Sequence, residues 1–269
     1  MASVHAARAV EASRQHAVRE VQADAPLRWL RAGWLDFMRC PGPGLLHGAL
    51  IAGFGLALVI LGHRAFWGLA GAVSGFLLVA PILATGLYAL SAAMERGETP
   101  RLSTALAAWR PGPGRGRLML FGVLLAAAGS GWVMTSASLI TGFANGPVHE
   151  PRDFVLRVML APDTFLFEAW LVLGGVLAAP VFASTVVAVP MLMDRPVGVL
   201  TAVLTSWRVV QAHPFTMAVW SATLASLTLA GMITAMLGLV IIVPWLGHAS
   251  WHAYRDLVAP PDGDPPAGP

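Results

Sequence analysis

The chain reads as an all-α polytopic membrane protein: six transmembrane helices forming three parallel-repeat hairpins, each preceded by a short amphipathic interfacial helix. Three observations predict this. Of 269 residues, 57% are hydrophobic and 12% charged, with a mean hydropathy of +0.69, whereas a soluble domain carries about a quarter charged residues. Uncharged runs recur that are long enough to cross a hydrocarbon core of about 30 Å, which takes about 20 helical residues. One Pro-led, Trp-ended phrase occurs three times.

Residues 1–43 include Glu11, Glu20, Asp24 and Asp36 and no early apolar core, so no signal peptide is expected, and residues 1–25 form a separate N-terminal segment. They are expected to be a mobile cytoplasmic segment, and the first apolar run is then retained as an anchor. Residues 26–258 form the membrane domain, and the Pro/Gly/Asp-rich tail 259–269 is expected to be disordered.

The apolar runs are 44–61, 66–94, 118–143 and 164–193, and Glu168 is the only ionised side chain inside them. The last run, 215–254, is about twice one crossing. It is read as a tight hairpin turning near Gly231 or Gly238, giving six crossings, with five as the alternative. All 17 basic residues are Arg. With six crossings only Arg64, Arg152 and Arg157 fall on the outer side, so the excess of Arg places both termini in the cytoplasm of a bacterial inner membrane. The same distribution argues against nucleic acid as a partner, although the pI is near 10.0, because the Arg residues sit in loops between apolar runs.

The repeated phrases span 26–34, 100–109 and 196–207; each opens on Pro, tolerated in a helix's first turn, and closes on Trp34, Trp109 or Trp207. Two are closest: Met94, Glu95 and Arg96 followed by RLSTALAAWR, and Met193, Asp194 and Arg195 followed by VLTAVLTSWR. Apolar residues recur at helical spacing (Leu102, Ala105, Leu106, Trp109; Leu200, Val203, Leu204, Trp207), the pattern of a helix lying at the membrane surface. Prolines stop each phrase: Pro41 and Pro43, Pro111 and Pro113, and Pro214. The even-numbered crossings contain Pro81, Pro180 and Pro244, candidate kinks that lipid tolerates only against protein or water, so these three helices are expected to face one another. They enclose a central cavity or pack solid. Gly44 and Gly48, and Gly71 and Gly75, have the four-residue spacing that lets helix backbones approach closely.

Chemistry is sparse. His47, His213, His248 and His252 lie near the inner helix ends; His248 and His252 share a helix face and could ligate a metal or haem iron, or else bond to backbone carbonyls or lipid phosphates. The stretch Gly247, His248, Trp251, His252, Tyr254, Arg255 and Asp256 is the most polar and aromatic edge of any span and is the first-choice site. Glu168 is expected to be interfacial and hydrated, and Ser130, Thr135 and Ser136 to bond back to carbonyls of their own helix. Phe154, Val155 and Met159 mark a short amphipathic piece in the outer loop. The lone Cys40 forms no intramolecular disulfide. No nucleophile elbow, HExxH pair, P-loop, dinucleotide fingerprint or paired intramembrane carboxylates occur, so no enzyme is expected and no cofactor beyond the histidine alternative.

Three stretches carry a family resemblance: PLRWLRAGWLD at 26–36, SGFLLVAP at 74–81 and GHASWHAYRD at 247–256. Over residues 26–258 the chain resembles the bacterial integral-membrane family called domain of unknown function 2189. Some of its members are labelled cytochrome c oxidase subunits. A catalytic subunit of that kind needs far more helices and ligating histidines than this chain offers, which leaves an accessory or assembly role open. The leading expectation is a non-catalytic protein that docks to lipid and to a membrane complex such as a respiratory oxidase. A small-solute, metal or lipid transporter is the second, and haem or metal binding by His248 and His252 the third.

Overall fold

A computed structural model describes residues 2–62, 66–110, 115–161 and 164–260. They are helical almost throughout, and no extended strand occurs among them. Arg64, Pro111 and Pro113, and the tail from residue 261, lie outside the described residues.

The helices are α1 (Ala2–Arg14), α2 (Ala25–Arg39), α3 (Pro41–Gly62), α4 (Phe66–Leu83), α5 (Thr85–Glu95), α6 (Leu102–Ala107), α7 (Arg115–Phe143), α8 (Pro151–Phe154), α9 (Leu166–Thr185), α10 (Ala188–Asp194), α11 (Val199–Ala212), α12 (Pro214–Ile233) and α13 (Leu239–Leu257). A π-helical turn, Val155–Met159, continues α8 and forms the amphipathic piece expected in that loop.

Prolines punctuate the chain as the sequence implies. Pro26 enters α2 in its first turn, Pro41 ends α2 by opening α3, and Pro214 opens α12. Pro180 and Pro244 lie inside α9 and α13, and Pro81 lies within α4 with its side chain outside the described set. The helix breaks themselves fall elsewhere. One separates α9 from α10, where the ring of Pro190 would meet the carbonyl of Val186, four residues back. The other is at Ala84, where Thr85 Oγ1 donates to the Ile82 carbonyl (2.7 Å) and Gly86 follows.

Four helices among the described residues are long and apolar enough to cross a membrane: Pro41–Ile60, Arg115–Phe143, Leu166–Asp194 and Pro214–Ile233. Six such spans were expected. The second expected crossing is divided between α4 and α5, and the sixth, α13, is apolar only in its first half. The doubled run does turn back on itself. Residues 234–238 form the turn, with Ala235 and Met236 at φ of 51° and 67°, and Thr234 Oγ1 accepts from Gly238 N at 2.9 Å.

The chain divides into two compact units. Unit 1 comprises Met1–Ala52, Pro81–Phe121 and Ala183–Pro269. Its centre is α13, packed against α2, α5, α10 and α12. Trp220, Trp251, Tyr254, Leu87 and Leu257 are each less than 2% exposed. α5, α10 and α13 touch one another, and each carries an amphipathic helix: α6 on α5, α11 on α10 and α2 on α13. Two glycines make the closest approaches possible. A Cβ on Gly33 of α2 would lie 2.4 Å from Ala249 N, and one on Gly48 of α3 would lie 2.2 Å from the Val240 carbonyl oxygen. The expectation for Gly48 is therefore met, whereas a Cβ on Gly75 would meet nothing within 4 Å.

The N-terminal segment, expected to be mobile, is tied down. α1 packs on α11, Arg19 N donates to Leu257 O (2.9 Å) and Ala259 N to Ala17 O (3.0 Å), pairing Val18 with Val258. Arg195 binds Ala259 O (2.7 Å) and His16 Nδ1 (3.1 Å). Burial, then the charges of Arg195 and Arg208, hold the His16 imidazole below its ordinary pKa.

Unit 2 comprises Gly53–Ala80 and Gly122–Phe182. Its core gathers Ile140, Val148, Val158 and Leu166 beside Trp67, Phe154 and Trp170. Glu168 is exposed there, as expected. Ser130 and Thr135 donate to the carbonyls four residues back, but Ser136 instead accepts from Trp170 Nε1 at 2.7 Å.

Candidate functional site

The stretch Gly247–Asp256 turns almost every polar side chain inward, because helices surround this half of α13. Trp251 Nε1 donates to Glu95 Oε2 (3.1 Å), and Arg255 holds Glu95 Oε1 through Nε (3.0 Å) and Nη2 (2.9 Å). Tyr254 donates its hydroxyl to Asp194 Oδ2 (2.6 Å), and Arg195 lies over the Tyr254 ring, 5.5 Å from its centroid. Asp256 accepts from Trp29 Nε1 at 2.9 Å and pairs with Arg28 at 3.5 Å. Glu95 and Asp194, the acids of the two matching phrases, thus converge on one C-terminal turn.

One turn earlier the two histidines meet a buried carboxylate. Asp36 of α2 is 4% exposed. Its Oδ2 accepts from Ser91 Oγ and from His252 Nε2, both at 2.8 Å. Burial pushes the Asp36 carboxyl up, but the bond and charge of His252 and the Ser91 hydroxyl outweigh it and hold the group below the ordinary carboxylate range. Ser91 Oγ also lies 2.8 Å from His248 Nδ1. A hydroxyl has one proton and a carboxylate only accepts, so Ser91 gives its proton to Asp36 and receives one from His248 Nδ1. His248 is then left with a lone pair on Nε2, fully buried and without a partner among the described residues.

The predicted pair is thus brought into one network, but in different roles. His252 spends Nε2 on Asp36, and only His248 keeps an open nitrogen. His47 stacks edge-on to Trp109 at 5.8 Å, and its Nε2 is also buried and unpartnered among the described residues. His213 binds the Arg19 carbonyl at 2.9 Å. Among the described residues no three His, Cys, Asp or Glu side chains are grouped to hold a metal ion. Sequence reasoning did not single out Asp36 or Ser91. The signal was present for Asp36: it follows Trp29 and Gly33 on the buried stripe of α2, a charge where an apolar residue belongs.

A bundle of apolar helices with an internally paired polar clasp is a multi-helix integral membrane protein. A family model described as "Predicted integral membrane protein (DUF2189)" matches residues 69–194. Over those residues, just under half of its length, the chain is similar to that family. No curated protein and no solved structure matches the chain.

Proposed function

We propose that this protein is a non-catalytic accessory or assembly factor of a bacterial inner membrane, crossing it six times as three hairpins and docking to a membrane complex such as a respiratory oxidase. The observation that carries the reading is the inward commitment of the terminal stretch. Its Trp, Tyr, Arg and Asp side chains are spent on Glu95, Asp194, Trp29 and Arg28, a set of bonds that locks helices together rather than presenting groups to a substrate. The apolar windows of the four spans are only 22–28% buried within the chain, which leaves wide surfaces for lipid or protein.

Support for three hairpins comes from where the chain ends meet. The start of α3 and end of α5, the start of α7 and end of α10, and the start of α12 and end of α13 all belong to unit 1. The bonds of residues 17–19 to 257–259 support a reading in which both ends of the chain share one membrane face, the cytoplasmic one by the Arg distribution. That pairing joins the end of α13 to the segment leading into α2, as short covalent links join α5 to α6 and α10 to α11.

Affinity purification of tagged full-length protein from native membranes tests the docking role. Stoichiometric recovery of an oxidase or another membrane complex is expected. A solitary protein whose melting is shifted by a solute would replace docking with transport. A second reading, haem or metal binding, is favoured by one feature, the open Nε2 of His248. In that case absorption or elemental analysis finds a group lost in His248→Ala and retained in His252→Ala.

A further inference from the structure

Unit 2 contains two adjoining hollows between α4, α7 and α9. The larger, about 540 Å³, is walled by Ala128, Gly131, Gly174, Leu177 and Val181 together with Ser74 and Trp132. The smaller, about 270 Å³, shares Ser74 and Trp132 and reaches Trp67, Phe154 and Trp170. The larger alone falls within the size range of small-molecule sites. Its wall is chemically quiet, for the Thr135 hydroxyl is turned to the Gly131 carbonyl at 2.8 Å. Ala128, Gly131 and Ala178 are exposed, so the hollow opens along its side.

The two ends differ. At one end Trp132, Phe154 and Trp170 cluster, with ring centroids 5.3–5.6 Å apart. The adjoining π-helical turn pairs Arg157 with Asp153 while exposing Val155, Leu156 and Met159, the composition of an element at the headgroup boundary. At the other end, around Ala128 and Val181, the lining is aliphatic. From Ala128 to Ile140 the lining follows α7 for about 18 Å at 1.5 Å per residue. Half a hydrocarbon core is about 15 Å. Taken end to end, the two hollows therefore reach from the aromatic level to the middle of the bilayer, meeting at Ser74 and Trp132.

We propose that this pair of hollows is a slot that holds one acyl chain of a membrane phospholipid, with the headgroup at the α8 end and the methyl end beside Ala128 and Val181. The inference stands apart from the docking role.

The test uses the full chain reconstituted in phosphatidylglycerol and phosphatidylcholine vesicles containing a trace of phospholipid with a diazirine near the acyl terminus. After photolysis, peptides are mapped by mass spectrometry. Adducts should concentrate on residues 128–131 and 174–181, well above those on Leu50, an exposed α3 residue. Ala128→Phe, which fills the hollow, should lower slot labelling to the Leu50 level and leave Leu50 labelling unchanged. The wild-type ratio decides the matter by itself should that variant fail to fold. Equal labelling of the slot and of Leu50 would overturn the proposal, as would a slot shielded from lipid by a second copy of the chain, seen as cross-links between copies.

Discussion

Replacing Asp36 separates a hydrogen-bonding role from a charge. Ser91 Oγ and His252 Nε2 reach the same oxygen, Oδ2, while the exposed Arg39 donates to Oδ1 through Nη1 at 3.4 Å. In Asp36→Ala the Ser91 hydroxyl, itself 2% exposed, loses its acceptor, a loss of about 1–3 kcal/mol for a buried polar group. The His252 side chain is 32% exposed and can rehydrate, adding no more than about 1 kcal/mol. The expected total is about 1–4 kcal/mol. In Asp36→Asn an amide oxygen in the place of Oδ2 keeps both of those bonds and forfeits the charge assistance and the exposed Arg39 contact to Oδ1, together about 1 kcal/mol. Unfolding in mixed dodecyl maltoside and sodium dodecyl sulfate micelles, followed by tryptophan fluorescence, measures both. Equal losses for Ala and Asn, or a loss below about 0.5 kcal/mol for Ala, would refute the closed network.

The same carboxylate sets a pH dependence. Because its folded pKa lies below the unfolded value of about 3.9, its contribution is complete above that value and disappears as pH falls through the lower, folded one. Acid unfolding of the wild type should therefore steepen below about pH 4, and Asp36→Asn should lack that component. Gly33→Val forces a side chain into the Ala249 backbone and should cost about 3 kcal/mol or prevent folding. Gly75→Ala, in open space within α4, should be neutral or stabilise by up to about 1 kcal/mol, and the same micelle titration compares the two.

The helical architecture was readable because membrane helices announce themselves by length and composition. The doubled run and its turn were legible for the same reason, since 40 apolar residues overfill one crossing. Pro81, Pro180 and Pro244 pointed to interruptions but not to their places, because the breaks depend on Thr85 with Gly86 and on Pro190. The N-terminal segment looked unattached because its anchoring is tertiary: main-chain bonds to residues 257–259 and the contact of α1 with α11 leave no local pattern. At the site, spacing alone placed His248 and His252 on one face. It could not tell that Asp36 takes one ring and Ser91 the other, since these partners lie 216 and 157 residues away in the chain.

Membrane sidedness of three substituted cysteines tests the hairpin scheme most directly. In a Cys40→Ser background, single cysteines replace Asp24, Glu98 and His149, all exposed. An impermeant maleimide should label positions 24 and 98 from the same face and position 149 from the opposite one, because the proposed scheme has α4 and α5 together return the chain across the bilayer. Labelling of position 98 from the face opposite position 24 would mean that this return does not occur, and the three-hairpin account would be contradicted.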